Sequence, residues 1–143
     1  MPPIQGVAET ALYVQDLARA GAFYETLFSL PLLLSDDRMR GYGLPDGRVL
    51  LLFVVGGSTQ PSAVPGGIIP PHDAQGRQHL AFRIAAADVK SWRAALAEQG
   101  LSLESEVVCD NSGGGPGGGT SLYFRDPDGH LLELITPGCW EVY

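Results

Sequence analysis

The chain has 143 residues, 45% of them apolar, and 16 acidic against 9 basic side chains give a net charge of −7. That length suits one domain or two small halves sharing a core, and an acidic chain with no block of like charge lacks the basic face that nucleic acid or an anionic membrane requires. No run approaches the roughly 18–20 apolar residues of a membrane span and the N-terminus lacks the layout of a secretory signal, so a cytoplasmic protein is expected.

Taken in chain order, Glu9 to Leu17 alternates as a strand and runs into a helix from Leu17 to about Ser29. The helix carries a 3.6-period apolar stripe at Leu17, Ala20, Tyr24, Leu27 and Phe28, and Asp16 is placed to cap it. Strands are expected near Leu32–Ser35, Met39–Gly43 and Arg48–Val55. The segment Gly56 to Gly76 holds four prolines and five glycines and reads as a linker that also covers a site, because long ordered loops are often functional. His79 to Ala87 repeats the strand, and a second helix runs from about Val89 to Gln99 with stripe Val89, Trp92, Ala95 and Leu96, cap Asp88 and stop Gly100. Strands follow near Leu103–Val108, Thr120–Phe124 and His130–Thr136. Gly113–Gly119 reads as a flexible turn that lacks the GKS/T ending of a phosphate loop. Cys109 and Cys139 form no CxxC, so they read as reduced thiols, with a disulfide as the lesser alternative.

The two halves are copies of one unit. Leu44-Pro-Asp-Gly-Arg-Val-Leu-Leu-Leu52 returns as Arg125-Asp-Pro-Asp-Gly-His-Leu-Leu-Glu-Leu134, with Glu133 standing where the first copy has Leu51. Laying Glu9 on His79 also superposes Leu12 on Phe82 and Val14 on Ile84. A carboxylate in the middle of an apolar strand is costly unless something binds it, which makes Glu133 the first residue to suspect of function.

Period-2 alternation decides which side chains share a face. Thr10, Leu12 and Val14, and Leu80, Phe82 and Ile84, must meet the helices; Glu9, Ala11 and Tyr13, and His79, Ala81 and Arg83, look away from them. Four repeat-equivalent positions then converge near a pseudo-two-fold axis, occupied by Glu9, Leu51, His79 and Glu133. Two carboxylates and one imidazole suit a divalent cation (Mn, Fe, Ni, Co or Zn) rather than a cysteine-held structural zinc, and three ligands leave positions open for substrate. Tyr13 and Arg83 share the ligand face and could orient an anionic or enolate-like substrate, while Tyr123 could line the cavity. His72 reads as a loop residue and His130 is left out of the site. Asp126 and Asp128 shape a turn.

These pieces resemble the βαβββ modules of the vicinal oxygen chelate superfamily, which includes glyoxalase I, bleomycin-resistance proteins, fosfomycin-resistance enzymes and extradiol dioxygenases. The resemblance rests on Leu12-Tyr-Val-Gln-Asp-Leu17 with Phe23-Tyr24, His79-Leu-Ala-Phe82, and Tyr123-Phe-Arg-Asp-Pro-Asp-Gly-His-Leu-Leu-Glu-Leu134. It implies an α+β fold of two modules, about residues 6–56 and 77–137, with a linker or lid at 57–76 and a tail at 138–143. Eight strands would curve into a cup-shaped mixed sheet with both helices on its convex face. It implies metal ligands at Glu9, His79 and Glu133, with Glu133 and Glu9 as catalytic candidates and Tyr13, Arg83, Leu51 and Tyr123 facing a small oxygen-chelating substrate. Many relatives have His where Glu9 stands, and glyoxalase I has a fourth ligand, usually Glu, where this chain has Leu51. The alternative is a metal-free, drug-sequestering binding protein. A homodimer is expected, because two small modules bury limited apolar area and Trp140 and Tyr143 offer docking surface.

Overall fold

The computed structural model describes residues 1–143, and the chain divides into two compact units, Met1–Gly76 and Arg77–Tyr143. No helix is long and apolar enough to cross a membrane. Both units are α+β, and each contains a four-stranded mixed sheet.

In the first unit, β1 (Glu9–Val14), α1 (Leu17–Phe28), β2 (Leu32–Ser35), β3 (Met39–Gly43) and β4 (Val49–Val54) form a sheet of order β1-β4-β3-β2. Strand β1 runs parallel to β4, with Glu9 opposite Val49, Ala11 opposite Leu51 and Tyr13 opposite Phe53. Asp16 caps α1 by accepting from Arg19 N at 2.9 Å, and Ser29 closes the helix in the left-handed region at φ 53°. Leu12, Val14, Ala20, Tyr24, Leu50 and Leu52 are buried, which places the core between α1 and the face of the sheet that alternation assigns to it.

The expected linker departs from the sequence reading. It carries a hairpin, β5 (Ser62–Val64) and β6 (Gly67–Ile69), so the chain has ten strands rather than eight. Val64 pairs with Gly67, leaving Pro65 and Gly66 as the turn, and Gly66 sits at φ 104°. Proline followed by a positive-φ glycine is what a tight turn of this kind needs.

The second unit repeats the plan with β7 (His79–Arg83), α2 (Val89–Glu98), β8 (Ser105–Val108), β9 (Thr120–Arg125) and β10 (Leu131–Ile135), in order β7-β10-β9-β8. Leu96, Leu122, Phe124, Leu132, Leu134 and Ile135 are among its buried apolar residues. Asp88 does not cap α2. A 3-10 turn over Ala86–Asp88 leads into the helix, and Asp88 has αR backbone (φ −91°, ψ −5°), outside the extended geometry a capping side chain uses. Asp126 Oδ1 accepts from Asp128 N at 3.0 Å and His130 N at 2.8 Å, which builds the turn before β10.

Two readings of the Gly-rich segment and the cysteines are corrected. Cys109 and Cys139 form a disulfide, with Cα atoms 5.2 Å apart across 30 residues. The tail folds back onto the glycine segment, pairing Gly114 with Trp140, and this return places the two sulfurs together. The segment is packed: a Cβ on Gly115 would lie 2.6 Å from Gly138 O, and one on Gly119 would lie 2.8 Å from Cys139 Sγ. Here the glycines allow two backbones to touch.

Candidate metal centre and ligand cavity

In the second unit, β7 and β10 set His79 opposite Leu131, with Glu133 two residues further along the same face. His79 Nε2 lies 3.2 Å from Glu133 Oε2, and the carboxylate is nearly enclosed (8% exposed) while the imidazole is half exposed. His79 Nδ1 is 3.0 Å from the carbonyl of Leu131, so Nδ1–H donates and the ring turns Nε2 toward Glu133. Tyr123, across β9 from Glu133, donates its hydroxyl to Oε1 at 3.0 Å. Burial pushes the Tyr123 phenol up, and the Glu133 charge adds to that, so the phenol keeps the proton it donates. A pocket of about 490 Å³ beside this pair is lined by His79, Tyr123, Glu133, both cysteines and Trp140.

The first unit carries the repeat-equivalent face. Glu9 and Leu51 occupy the positions of His79 and Glu133, because Glu9 opposes Val49 in β4 as His79 opposes Leu131 in β10. Both line a cavity of about 570 Å³ together with Ala11, Tyr13, Arg38, Phe53 and His72. Tyr13 and Phe53 stack at 5.7 Å between centroids, and His72 meets Phe53 edge-on at 4.6 Å.

His79, Glu133 and Tyr123 therefore stand together in one unit, and Glu9, Leu51 and Tyr13 in the other. No three His, Cys, Asp or Glu side chains gather into a metal-holding group. The Arg83 guanidinium lies 4.8 Å from the centroid of the Tyr143 ring, and Tyr143 in turn donates to Ile135 O at 2.6 Å. His130 is buried and accepts from Gln78 N through Nδ1 at 2.9 Å, a structural role. Sequence reading did not place His72 or Arg38 beside a cavity. The Pro- and Gly-rich surroundings of His72 suggested only a loop, and Arg38 sits one residue before β3 with no alternation to place it. A second histidine in a chain with only three was the available signal.

An imidazole–carboxylate pair on paired strands, and the matching positions on a second copy, show one strand–helix–three-strand module used twice. The chain belongs to the Glyoxalase/Bleomycin resistance protein/Dioxygenase superfamily, whose profile matches residues 6–134. A crystal structure of lactoylglutathione lyase from Agrobacterium tumefaciens is 30% identical, with a TM-score of 0.84 over 97% of this chain and 98% of that one. Metallothiol transferase FosB of Shouchella clausii is 27% identical over 138 residues, 93% of this chain and 81% of that protein. The fosfomycin resistance protein FosX of Listeria monocytogenes, in a mutant complexed with Mn(II) and 1S,2S-dihydroxypropylphosphonic acid, shares the fold at 22% identity, with a TM-score of 0.65 over 92% of this chain and 90% of that one.

Proposed function

We propose that the chain is a divalent-metal enzyme acting on a small substrate that chelates through adjacent oxygens, with His79, Glu133 and Glu9 as the protein ligands. The observation that carries this reading is the 3.2 Å approach of His79 Nε2 to Glu133 Oε2, with Nδ1 committed to a backbone carbonyl and the other carboxylate oxygen to Tyr123. An imidazole whose far nitrogen is fixed by a backbone acceptor is the usual preparation of a histidine ligand. Two donors of this kind, imidazole nitrogen and carboxylate oxygen, fit Mn, Fe, Ni, Co or Zn. When bound, the cation would supply Lewis-acid stabilisation to an oxyanion developing on the substrate.

The chain's own residues divide the remaining work. Tyr123 fixes the orientation of Glu133. Glu133 and Glu9 are the groups able to accept a substrate proton, and Tyr13, Arg83, Tyr123 and Leu51 are the candidates for substrate contact. Leu51 brings no carboxylate to the fourth position, which counts against a proton shuttle that needs a second base there. A metal-free binding protein is the second reading, favoured by the largely apolar lining of the first unit's cavity. Metal content of the purified protein, with titration of Mn(II), Ni(II), Zn(II) and Fe(II), decides between them; absence of any binding leaves the second.

The working species is proposed to be a homodimer. Leu32, Leu33 and Leu34 on β2 and Val107 and Val108 on β8 are exposed apolar residues on strands at sheet edges. Such edges are normally covered. Light scattering at micromolar concentration tests this, and a monomeric mass rejects it.

A further inference from the structure

The first unit's cavity is electrically divided along β1. Glu9 stands at one end; Tyr13, Phe53, His72 and Arg38 gather toward the other. Tyr13 is four residue steps along the strand from Glu9, about 13 Å at the usual rise. Between them Ala11, Gly41 and Leu51 lie side by side in register, so the floor is apolar.

At the far end the Arg38 guanidinium lies 5.6 Å from the centroid of the Phe53 ring and donates to Ser58 Oγ at 3.1 Å. Neither partner neutralises its charge, and the nearby Asp36 carboxylate accepts from the Arg38 and Met39 backbone N–H groups, each at 2.8 Å. The Tyr13 hydroxyl lies 2.6 Å from His72 Nδ1. A phenol is a stronger acid than a neutral imidazole N–H, so Tyr13 donates and Nδ1 accepts, which leaves Nε2–H as the ring's remaining donor. Burial raises the Tyr13 phenol and Asp73 adds to the effect, which keeps that proton in place. Two donors, one of them a full positive charge, therefore border an apolar cavity of about 570 Å³, a volume suited to a small organic molecule.

We propose that this end of the cavity seats an oxyanion, a carboxylate or phosphonate, carried on an apolar or aromatic body, with Arg38 and His72 as its donors and Phe53 and Leu51 beneath the body. As the substrate's seat this rests on the enzyme reading above; as a binding site it stands without it. The division of the cavity also sets the ligand's plan: an anion at one end, an apolar middle over Leu51, and the other end toward Glu9.

The test is calorimetric titration of the metal-free protein with phenylacetate, phenylphosphonate and the neutral 2-phenylethanol, beside a separate Mn(II) titration. One or both anions should bind at least about tenfold tighter than the alcohol, and Arg38→Gln should weaken them roughly ten- to hundredfold, the range of one charge-assisted hydrogen bond, while Mn(II) uptake is unchanged. His72→Phe keeps the ring packing and removes the donor; it should weaken the anions by a smaller factor and leave the alcohol alone, which serves if Arg38→Gln lowers the thermal midpoint. Equal binding of alcohol and anions overturns the proposal. So does failure of every probe to bind, and if Mn(II) still binds, the metal reading survives that failure. Anion binding that depends on Arg38 in a protein that takes up no metal upholds the site and removes the enzyme reading instead.

Discussion

His79 Nε2 stands 3.2 Å from Glu133 Oε2 while Nδ1 is held 3.0 Å from the carbonyl of Leu131, the residue that faces His79 across the parallel strand pair. An imidazole ligates through an unprotonated nitrogen, so at Nε2 a proton and a metal cation are alternatives. The two compete, so metal uptake should release protons and weaken on acidification.

The first prediction follows from that competition. Wild type at a free metal concentration about 100-fold above its dissociation constant should gain about 2.7 kcal/mol, read as a thermal shift of roughly 5–10 °C. His79→Ala and Glu133→Gln should each abolish the shift. Equal shifts in wild type and variants would place the metal somewhere else.

Leu51 offers a gain-of-function test. It occupies in the first unit the position that Glu133 occupies in the second, and it lines a cavity rather than the core. Leu51→Glu should therefore be tolerated by the fold and should tighten metal binding. A collapse of the thermal midpoint, or affinity no better than wild type, would show that the fourth position does not face the metal.

The disulfide should contribute measurably to stability. Closing a 30-residue loop constrains the unfolded chain by roughly 3–4 kcal/mol in the chain-entropy account. Cys109→Ser with Cys139→Ser should lower the thermal midpoint by about 10 °C, and a reducing agent should do the same to wild type only. Identical midpoints with and without reductant would contradict the cross-link.

Two glycine substitutions should behave oppositely. A Cβ on Gly115 would lie 2.6 Å from Gly138 O and 2.8 Å from Trp140 N, backbone atoms that cannot step aside, whereas nothing lies within 4 Å of one on Gly67. Gly115→Ala should cost about 1–3 kcal/mol and Gly67→Ala close to nothing, by denaturant melts. Equal costs would mean that the tail does not pack on the glycine segment.

Alkaline pH should destabilise the protein. Burial is the main cause that raises the phenols of Tyr13, Tyr42, Tyr123 and Tyr143 above the ordinary value near 10.0. The folded state then holds those protons more tightly than the unfolded chain. Their contribution is complete below the unfolded value and is lost as pH rises through the folded values. Ultraviolet titration should show most tyrosines ionising late; a single transition at the free-tyrosine value would refute it.

Much of the fold was legible because the sequence states it twice. Period-2 alternation in Glu9–Val14 and His79–Arg83 assigned both faces, and the repeated Pro-Asp-Gly turn fixed where each last strand begins. The same repeat pointed to Glu133 beside His79. What the sequence did not show depends on contacts between distant segments. The partner of Cys109 is set by a tail that returns across 30 residues, and the place of His72 by a hydrogen bond to Tyr13 from 59 residues away. Neither leaves a periodic trace. Asp88 failed as a cap for a local reason, since a 3-10 turn changed its backbone conformation.

The duplication described by the matching strand registers also removed a constraint. An assembly of identical single modules must present the same side chains on every copy, so a change that improves chelation on one face spoils the apolar lining of the other. Two copies within one polypeptide can diverge: one keeps His79 with Glu133, the other sets Leu51 beside Ala11 and Gly41 under an aromatic cluster. On the proposed reading, substitutions at Ala11 or Gly41 can then change the organic lining without touching the His79–Glu133 donor pair on the other copy.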